Sequence, residues 1–210
     1  MTDRDTEAEA RGASAIADIY ERHAERFDAR RRQSTPFLEA GWMARFLASA
    51  KPGGRILDLG CGSGFPIAAH LIDQGFAVEG VDIASAMIEL CQKAWPDQTW
   101  RVGDMRDIEL SGPYDGALAW HSSFHLPAND QARLIQRVSP KLAPGAPFMF
   151  TSGDGDGVAW GDMFGDPLFH ASLSPERFER VLEDAGLEVI DRRFWDDTCG
   201  GANVWLTRKL

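Results

Sequence analysis

Three alternating glycines are the feature of this sequence that most directly indicates ligand binding. Gly60, Gly62 and Gly64 stand in RILDLGCGSGFP, where the preceding apolar run contains a single acid, Asp58. Because glycine has no Cβ, a bulky part of a ligand can come close to the backbone of such a loop. The sequence therefore predicts a loop that binds a nucleotide or a nucleoside at the end of a strand.

Two further acids could hold the sugar and the base of such a ligand. Asp82 ends the next apolar run, 20 residues after Gly62, the separation expected between a glycine loop and a ribose-binding acid. A carboxylate there can accept hydrogen bonds from both ribose hydroxyls. Asp104 ends the third run between Gly103 and Met105. Its carboxylate could accept from an adenine amine while the methionine lies on the ring.

These acids fit a nicotinamide dinucleotide as well as a nucleoside with an amino-acid tail. Phe65 stands where the dinucleotide fingerprint has its third glycine, which weakens the first interpretation. The second needs both acids and no pyrophosphate cradle. An NAD(P)-dependent oxidoreductase stays open as the alternative.

The elements that must position these residues alternate along the chain. RILDLG, AVEGVD, TWRVGD, YDGALAWH and APFMFTSG predict strands, and residues 65–74, 84–95 and 128–142 predict helices. Such alternation is typical of a parallel sheet covered on both faces. After a helix in SPERFERVLEDAG, LEVIDRRFW and ANVWLTRK follow without a helix between them, so they should pair antiparallel at one edge.

The predicted fold class is α/β, a Rossmann-like doubly wound sheet. We expect seven mostly parallel strands, an antiparallel C-terminal hairpin and an N-terminal helical cap. Amphipathic stretches at 13–32 and from Pro36 predict the cap helices. Residues 1–50 are expected to form a tail, frayed over 1–11, and a cap over the ligand site, and residues 51–210 the Rossmann-like domain.

Composition and charge limit the partners. The 210 residues carry a formal net charge of −10, which disfavours nucleic acid because binding its backbone requires dense Lys and Arg. No apolar run approaches the ~20 residues that span a bilayer, and the polar N-terminus resembles no signal or transit peptide. Cys61, Cys91 and Cys199 lack metal-ligand spacing. We therefore expect a cytoplasmic protein with reduced thiols and no membrane partner.

One segment has some features of a metal site. Asp154 and Asp156 alternate with glycines in SGDGDGVAWGDMFGD, but Gly165 stands where a calcium loop needs its bidentate glutamate. A flexible loop beside the substrate, with Trp160 and Phe164 as apolar walls, is the better interpretation, and we expect no metal.

Three motifs in combination resemble a known family. ILDLGCGSG, VEGVDIASAMI and RVGDMRDI have the order and spacing of successive motifs in class I S-adenosylmethionine-dependent methyltransferases. The resemblance covers residues 50–152, and it extends to the closing hairpin because that family ends its sheet with a reversed strand. More narrowly, YERHAERFDARR, GDMFGDPLFHASL and GGANVWLTRK resemble a group of small bacterial methyltransferases with no settled substrate.

The resemblance implies a role for each motif residue. The glycine loop would pass under the methionine portion of S-adenosylmethionine, with Asp58 reaching its amino group and Asp82 binding the ribose. N-terminal helices in such enzymes commonly fold over the cofactor, and Arg31 would pair with the methionine carboxylate. The residues expected to bind the cofactor are Tyr20, Phe27, Arg31, Asp58, Gly60, Cys61, Gly62, Gly64, Asp82, Ile83, Met87, Gly103, Asp104, Met105 and Trp120.

The residues after the fourth strand, AWHSSFHLP, should face the methyl group of that cofactor. Family members that methylate base nitrogens or glutamine amides carry an Asn/Asp-Pro-Pro-aromatic stretch there, and its absence here counts against such acceptors. His121 and His170 are the candidate catalytic bases, because a neutral imidazole can take a proton from a hydroxyl, thiol or ammonium. Ser122, His125 and Trp160 are the candidate substrate contacts, although His125 also fits a core position.

The sequence thus predicts a methyltransferase that moves a methyl group from S-adenosylmethionine to a small-molecule acceptor by in-line displacement, leaving S-adenosylhomocysteine. The acceptor atom is an oxygen, nitrogen or sulfur nucleophile, and the protein is a monomer or a homodimer. Two alternatives remain, an NAD(P)-dependent oxidoreductase and a catalytically silent S-adenosylmethionine-binding module that acts through a protein partner.

Overall fold

The computed structural model describes residues 3–33 and 36–210 of the chain. Its helices are α1 (Asp3–Gln33), α2 (Ala40–Ser49), α3 (Ile67–Asp73), α4 (Ser85–Ala94), α5 (Ala128–Val138) and α6 (Pro175–Asp184). Its strands are β1 (Arg55–Leu59), β2 (Ala77–Asp82), β3 (Thr99–Val102), β4 (Gly116–Ala119), β5 (Pro147–Ser152), β6 (Gly157–Met163), β7 (Asp166–Ser172), β8 (Leu187–Asp196) and β9 (Ala202–Lys209).

The main sheet has seven strands in the order β3–β2–β1–β4–β5–β9–β8. The first five are parallel, and β9 runs antiparallel to both of its neighbours. This confirms the predicted doubly wound sheet and its C-terminal hairpin. The strand order reverses between β1 and β4, and ligands of such sheets bind beyond the carboxyl ends of the strands at that point.

Helices cover both faces of the sheet, because successive strand residues point to opposite sides. On one face, α2, α3 and α4 pack with residues such as Ile56 and Val78. On the other face, α5 and α6 pack with Leu57 and Val81. Both N-terminal helices were predicted to cap the ligand site, but α2 joins the core under the sheet through Trp42. The α1 helix does reach over the carboxyl ends of the strands, where its residues Ile16 and Tyr20 line a cavity.

The α1 helix packs against α4 and β7. Its residues Ile16 and Ile19 are buried with Leu168 and Phe169. β6 and β7 pair antiparallel in a separate two-stranded sheet, so the prediction of a flexible loop over this segment is wrong. The hairpin forms because α1 offers β7 an apolar surface, and this contact leaves no trace in the local sequence pattern.

At the N-terminus, α1 begins at Asp3, so the expected frayed tail is helical from there. Met1 and Thr2 lie outside the described residues, as do Ser34 and Thr35. None of the helices in the described parts of the chain has an apolar stretch long enough to cross a lipid bilayer.

Candidate functional site

The glycine loop joins β1 to α3, and its shape depends on alternating left-handed residues. Gly60, Gly62 and Gly64 have φ angles of 74°, 54° and 78°, a region that other residues rarely adopt. A Cβ on Gly60 would lie only 2.3 Å from Cβ of Ser122. At this position, therefore, both the backbone conformation and the space require glycine.

We expect Gly60→Ala to destabilise the protein by more than about 3 kcal/mol, because left-handed strain of about 1–2 kcal/mol adds to the clash with Ser122. Gly145→Ala is the matched control, since Gly145 also has a positive φ but, among the described residues other than its two chain neighbours, none has an atom within 4 Å of its ideal Cβ. In urea denaturation, Gly145→Ala should lose only the free energy of unfolding that left-handed strain costs. Equal losses in both variants would contradict the close approach at Gly60.

Asp82 is tied into this loop from the neighbouring strand. Its carboxylate accepts hydrogen bonds from the backbone N–H groups of Gly62 at 2.8 Å and Ala84 at 2.9 Å. Burial raises the pKa of Asp82 to about 6, although those two hydrogen bonds oppose the shift. The carboxylate is thus ionised near pH 7, and it braces the loop from the end of β2.

Asp58 lies beneath the loop and is 2% exposed. Burial, and then the charge of Asp82, raise the pKa of Asp58 to about 7. Within residues 3–33 and 36–210, its Oδ2 atom has no hydrogen-bond partner. An unpartnered buried carboxylate oxygen favours a cationic hydrogen-bond donor as its missing partner.

Asp104 is held by an arginine that sequence reasoning missed. Arg106 donates from its backbone N–H at 2.8 Å, from Nε at 3.0 Å and from Nη2 at 2.6 Å. Burial alone would raise the pKa of Asp104, but these bonds outweigh it and lower the pKa. The Asp-x-Arg spacing could have revealed this pair. Nε is shared between the two carboxylate oxygens, so three N–H groups hold the carboxylate, and its side chain is still 22% exposed.

A cavity of about 280 Å³ lies over these acids and continues to the histidines after β4. Most of the predicted site residues line it together, namely Tyr20, Phe27, Arg31, Gly60, Cys61, Gly62, Asp82, Ile83, Gly103, Asp104, Met105, Trp120, His121, Ser122, His125 and His170. Its wall also includes residues that were not predicted to bind a ligand, among them Phe65, Arg106, Phe124, Leu126 and Leu168.

The remaining predicted residues lie elsewhere. Asp58 and Gly64 form the base of the glycine loop, and Met87 is buried on α4 under α1, where it packs with Tyr20 and Phe27. Trp160 is 54% exposed on β6 and packs on Phe169, outside the cavity. Phe27, which lines the cavity, lies beside the glycine loop, because a Cβ on Gly62 would be 3.5 Å from its ring.

Arg31 enters the cavity wall from the end of α1. Its Nη2 atom lies 2.5 Å from Oε1 of Glu39, a carboxylate whose side chain is 7% exposed. A guanidinium has five N–H donors, so this ion pair leaves donors for an anion in the cavity. Trp120, also in the wall, has a buried Nε1–H group without a partner among the described residues.

His121 follows β4 in a left-handed conformation with a φ of 51°, rare for a residue with a side chain. Its backbone N–H donates to Oγ1 of Thr151 at 2.9 Å, which fixes the turn. His121 is exposed by surface area and lines the cavity, so it can be reached from there. Burial, and then the charge of Arg31, lower the pKa of His121 to about 4. Its imidazole is therefore neutral near pH 7.

The rings of His125 and His170 stack on each other, with their centroids 4.9 Å apart. Both line the same cavity as His121. The edge of Phe124 contacts both rings. Partial burial lowers the pKa of His170, so its ring, like that of His121, is neutral near pH 7 and can accept a proton. No group of three or more His, Cys, Asp or Glu side chains in the described ranges is placed to hold a metal ion. The hydroxyl of Ser122 donates to the carbonyl of Leu59 at 2.6 Å.

The residues present fit a cofactor with an ammonium group, vicinal hydroxyls and a carboxylate. Asp58 offers an unpartnered carboxylate oxygen, Asp82 a buried carboxylate, and Arg31 unused N–H donors. The glycine loop leaves backbone space between these groups. These protein groups complement the ammonium, ribose hydroxyl and carboxylate groups of S-adenosylmethionine.

Comparison with known proteins agrees with this assignment. A family described as a methyltransferase domain matches residues 29–192. An O-methyltransferase of Pyrenophora dematioidea is 26% identical over 155 residues, which are 67% of this chain and 56% of that protein. A dTDP-4-amino-2,3,4,6-tetradeoxy-D-glucose N,N-dimethyltransferase of Saccharopolyspora spinosa is 29% identical over 115 residues, which are 51% of this chain and 44% of that protein.

The chain thus spans about half the length of the curated relatives it matches. Among solved structures, an amino pentose methyltransferase of Micromonospora echinaspora with bound S-adenosylmethionine superposes with a TM-score of 0.68 at 19% identity. The match covers 89% of this chain and 96% of that one, and at this identity it supports the fold alone.

Proposed function

Since the chain belongs to the methyltransferase-domain family of class I S-adenosylmethionine-dependent enzymes, we propose that it methylates a small molecule with S-adenosylmethionine as donor. The observation that carries this proposal is the single cavity that joins the glycine loop and its acids to the histidines after β4. S-adenosylhomocysteine would be the product.

When bound, the cofactor supplies a methyl group on a positively charged sulfur. The acceptor would bond to the methyl carbon and displace the sulfur in line. Asp82 would accept hydrogen bonds from the ribose hydroxyls, and Asp104 from the adenine amine. Asp58 would pair with the ammonium group, and Arg31 with the carboxylate. The α1 helix, through Tyr20 and Phe27, would exclude water and hold the reactants together, an effect worth about 7–11 kcal/mol in well-oriented reactions.

His121 and His170 would take the proton that an oxygen, nitrogen or sulfur nucleophile releases, because both are neutral near pH 7 and line the cavity. His125 has a different role, since both of its ring nitrogens already have partners. The net charge of −10 disfavours nucleic acid as the acceptor. The names of the two matched amino-sugar methyltransferases also support a small-molecule acceptor.

Family membership favours methyl transfer over a nicotinamide oxidoreductase. The histidine-lined acceptor side of the cavity favours an active enzyme over a silent binding module. We retain as proposals a cytoplasmic location, a monomeric or homodimeric state, no membrane partner, and the division at residue 50 into cap and catalytic domain.

A screen of hydroxyl, amine and thiol acceptors with methyl-labelled S-adenosylmethionine tests the proposal. We expect acceptor-dependent release of S-adenosylhomocysteine and transfer of the label to one class of acceptor. Tight cofactor binding without label transfer to any acceptor or cell extract would favour the silent module. Failure to bind S-adenosylmethionine would overturn the proposal.

Within that assay, His170→Ala should lower turnover roughly 10²-fold, the lower range of a general-base contribution, with little change in cofactor affinity. His70→Ala is the matched control, because His70 packs on Phe37 at α3, away from the cavity. Stopped assays measure turnover, and calorimetry measures cofactor affinity. Equal turnover in His170→Ala and the wild-type protein would remove His170 as a base.

A further inference from the structure

His125 has a hydrogen bond at each ring nitrogen. Nδ1 lies 2.8 Å from the carbonyl oxygen of Phe169, and Nε2 lies 3.0 Å from Oη of Tyr20. A carbonyl oxygen can only accept, so Nδ1 carries the ring proton. Burial lowers the pKa of His125 to about 4. Near pH 7 the ring is therefore neutral, and Nε2 presents a lone pair.

The tautomer of His125 determines the orientation of the Tyr20 hydroxyl. Because Nε2 has no hydrogen, the hydroxyl must donate to it. Burial, and then the charge of Asp82, raise the pKa of Tyr20, so the phenol keeps its proton. The hydrogen thus points at His125, and the oxygen lone pairs are left for the cavity that Tyr20 lines.

Tyr20 stands between the two ends of the cavity. On one side it packs against Ala84, two residues after Asp82, and on the other its ring centroid lies 5.5 Å from that of His125. In the proposed function, Asp82 binds the ribose and the histidines face the acceptor. The positively charged sulfur of the bound cofactor would lie between the ribose and the acceptor, and therefore near Tyr20.

We infer that Tyr20 is a specificity-determining residue that presents its hydroxyl oxygen to the sulfonium group, and that His125 is a positioning residue that holds the hydroxyl in that orientation. This inference rests on the proposed function. An oxygen lone pair attracts the positive charge and the polarised C–H groups beside it. S-adenosylhomocysteine lacks that charge, so Tyr20 should favour the donor over the product.

The test is the ratio of the dissociation constants of S-adenosylhomocysteine and S-adenosylmethionine, measured by calorimetry at pH 7.5. Tyr20→Phe should lower this ratio roughly two- to tenfold, the range of one hydrogen bond. The matched control is Tyr114→Phe, because Tyr114 is fully buried in the core and bonds to Ser111. The control should keep the wild-type ratio. A general loss of packing would change both affinities together and leave the ratio unchanged.

Two variants of His125 test the positioning role. His125→Leu removes the acceptor for the hydroxyl and should lower the ratio as Tyr20→Phe does. His125→Gln should keep the wild-type ratio, since its amide has both a donor for Phe169 and an acceptor for Tyr20. A wild-type ratio in Tyr20→Phe would overturn the inference, and one in His125→Leu would overturn the role of His125. If the wild-type protein bound neither compound, the proposed function itself would fail.

Discussion

Asp82→Asn should weaken the binding of S-adenosylmethionine roughly 10- to 100-fold, because hydrogen bonds to a charged group are worth about 1.5–3 kcal/mol. The carboxylate is 9% exposed and already braces the loop through Gly62 and Ala84. An amide of the same shape would place N–H groups where the loop and the ribose hydroxyls need acceptors. Calorimetry measures the loss. Asp184→Asn, at the exposed end of α6, should bind normally.

The pH profile gives the same assignment a second test. The pKa of Asp82 is about 6, and the ribose hydroxyls donate to the ionised form. Cofactor affinity of the wild-type protein should therefore fall as the pH drops through about 7, where Asp58 takes up a proton, and again through about 6. Asp82→Asn should lack the lower step. Unchanged affinity in Asp82→Asn at pH 7.5 would refute the ribose assignment.

The residues whose place at the edge of the sheet follows from the sequence belong to local patterns. Asp82 and Asp104 each end an apolar run, and a parallel sheet brings such ends to one edge. The 20-residue spacing between Gly62 and Asp82 becomes a direct hydrogen bond of 2.8 Å. Strand and helix periodicity likewise predicted the main sheet, because burial on alternating faces leaves a regular pattern in the chain.

The features that the sequence did not predict depend on contacts between distant segments. The two partners of His125 lie 105 and 44 residues away, so its role as a positioning residue has no local signature. The β6–β7 hairpin was missed for the same reason, since β6 is mostly exposed and its partner strand is buried by α1.

The local patterns do not explain why Asp58 is buried under the glycine loop. A buried carboxylate with an unpartnered oxygen destabilises a fold. Its pKa is about 7 in the folded protein and near 3.8 in the unfolded chain. Between these values the folded state holds a proton that the unfolded chain has released. The wild-type protein therefore loses stability as the pH rises from about 4 to about 7.

Asp58→Asn removes this titration while keeping the shape of the side chain. Its stability relative to the wild-type protein should increase by about 2–4 kcal/mol between pH 4 and pH 8, given about 1.4 kcal/mol per pKa unit. Urea denaturation at a series of pH values measures the change. Asp184→Asn serves again as the exposed control.

The same variant should bind S-adenosylmethionine at least roughly tenfold more weakly, because the ammonium group loses its ionised partner. A gain in stability together with a loss of affinity is what a carboxylate retained for ligand binding predicts. The two measurements separate the two claims. Parallel stability curves from pH 4 to pH 8 would show that Asp58 carries no buried charge. Unchanged affinity would show that the ammonium group binds elsewhere, even if the stability gain is observed.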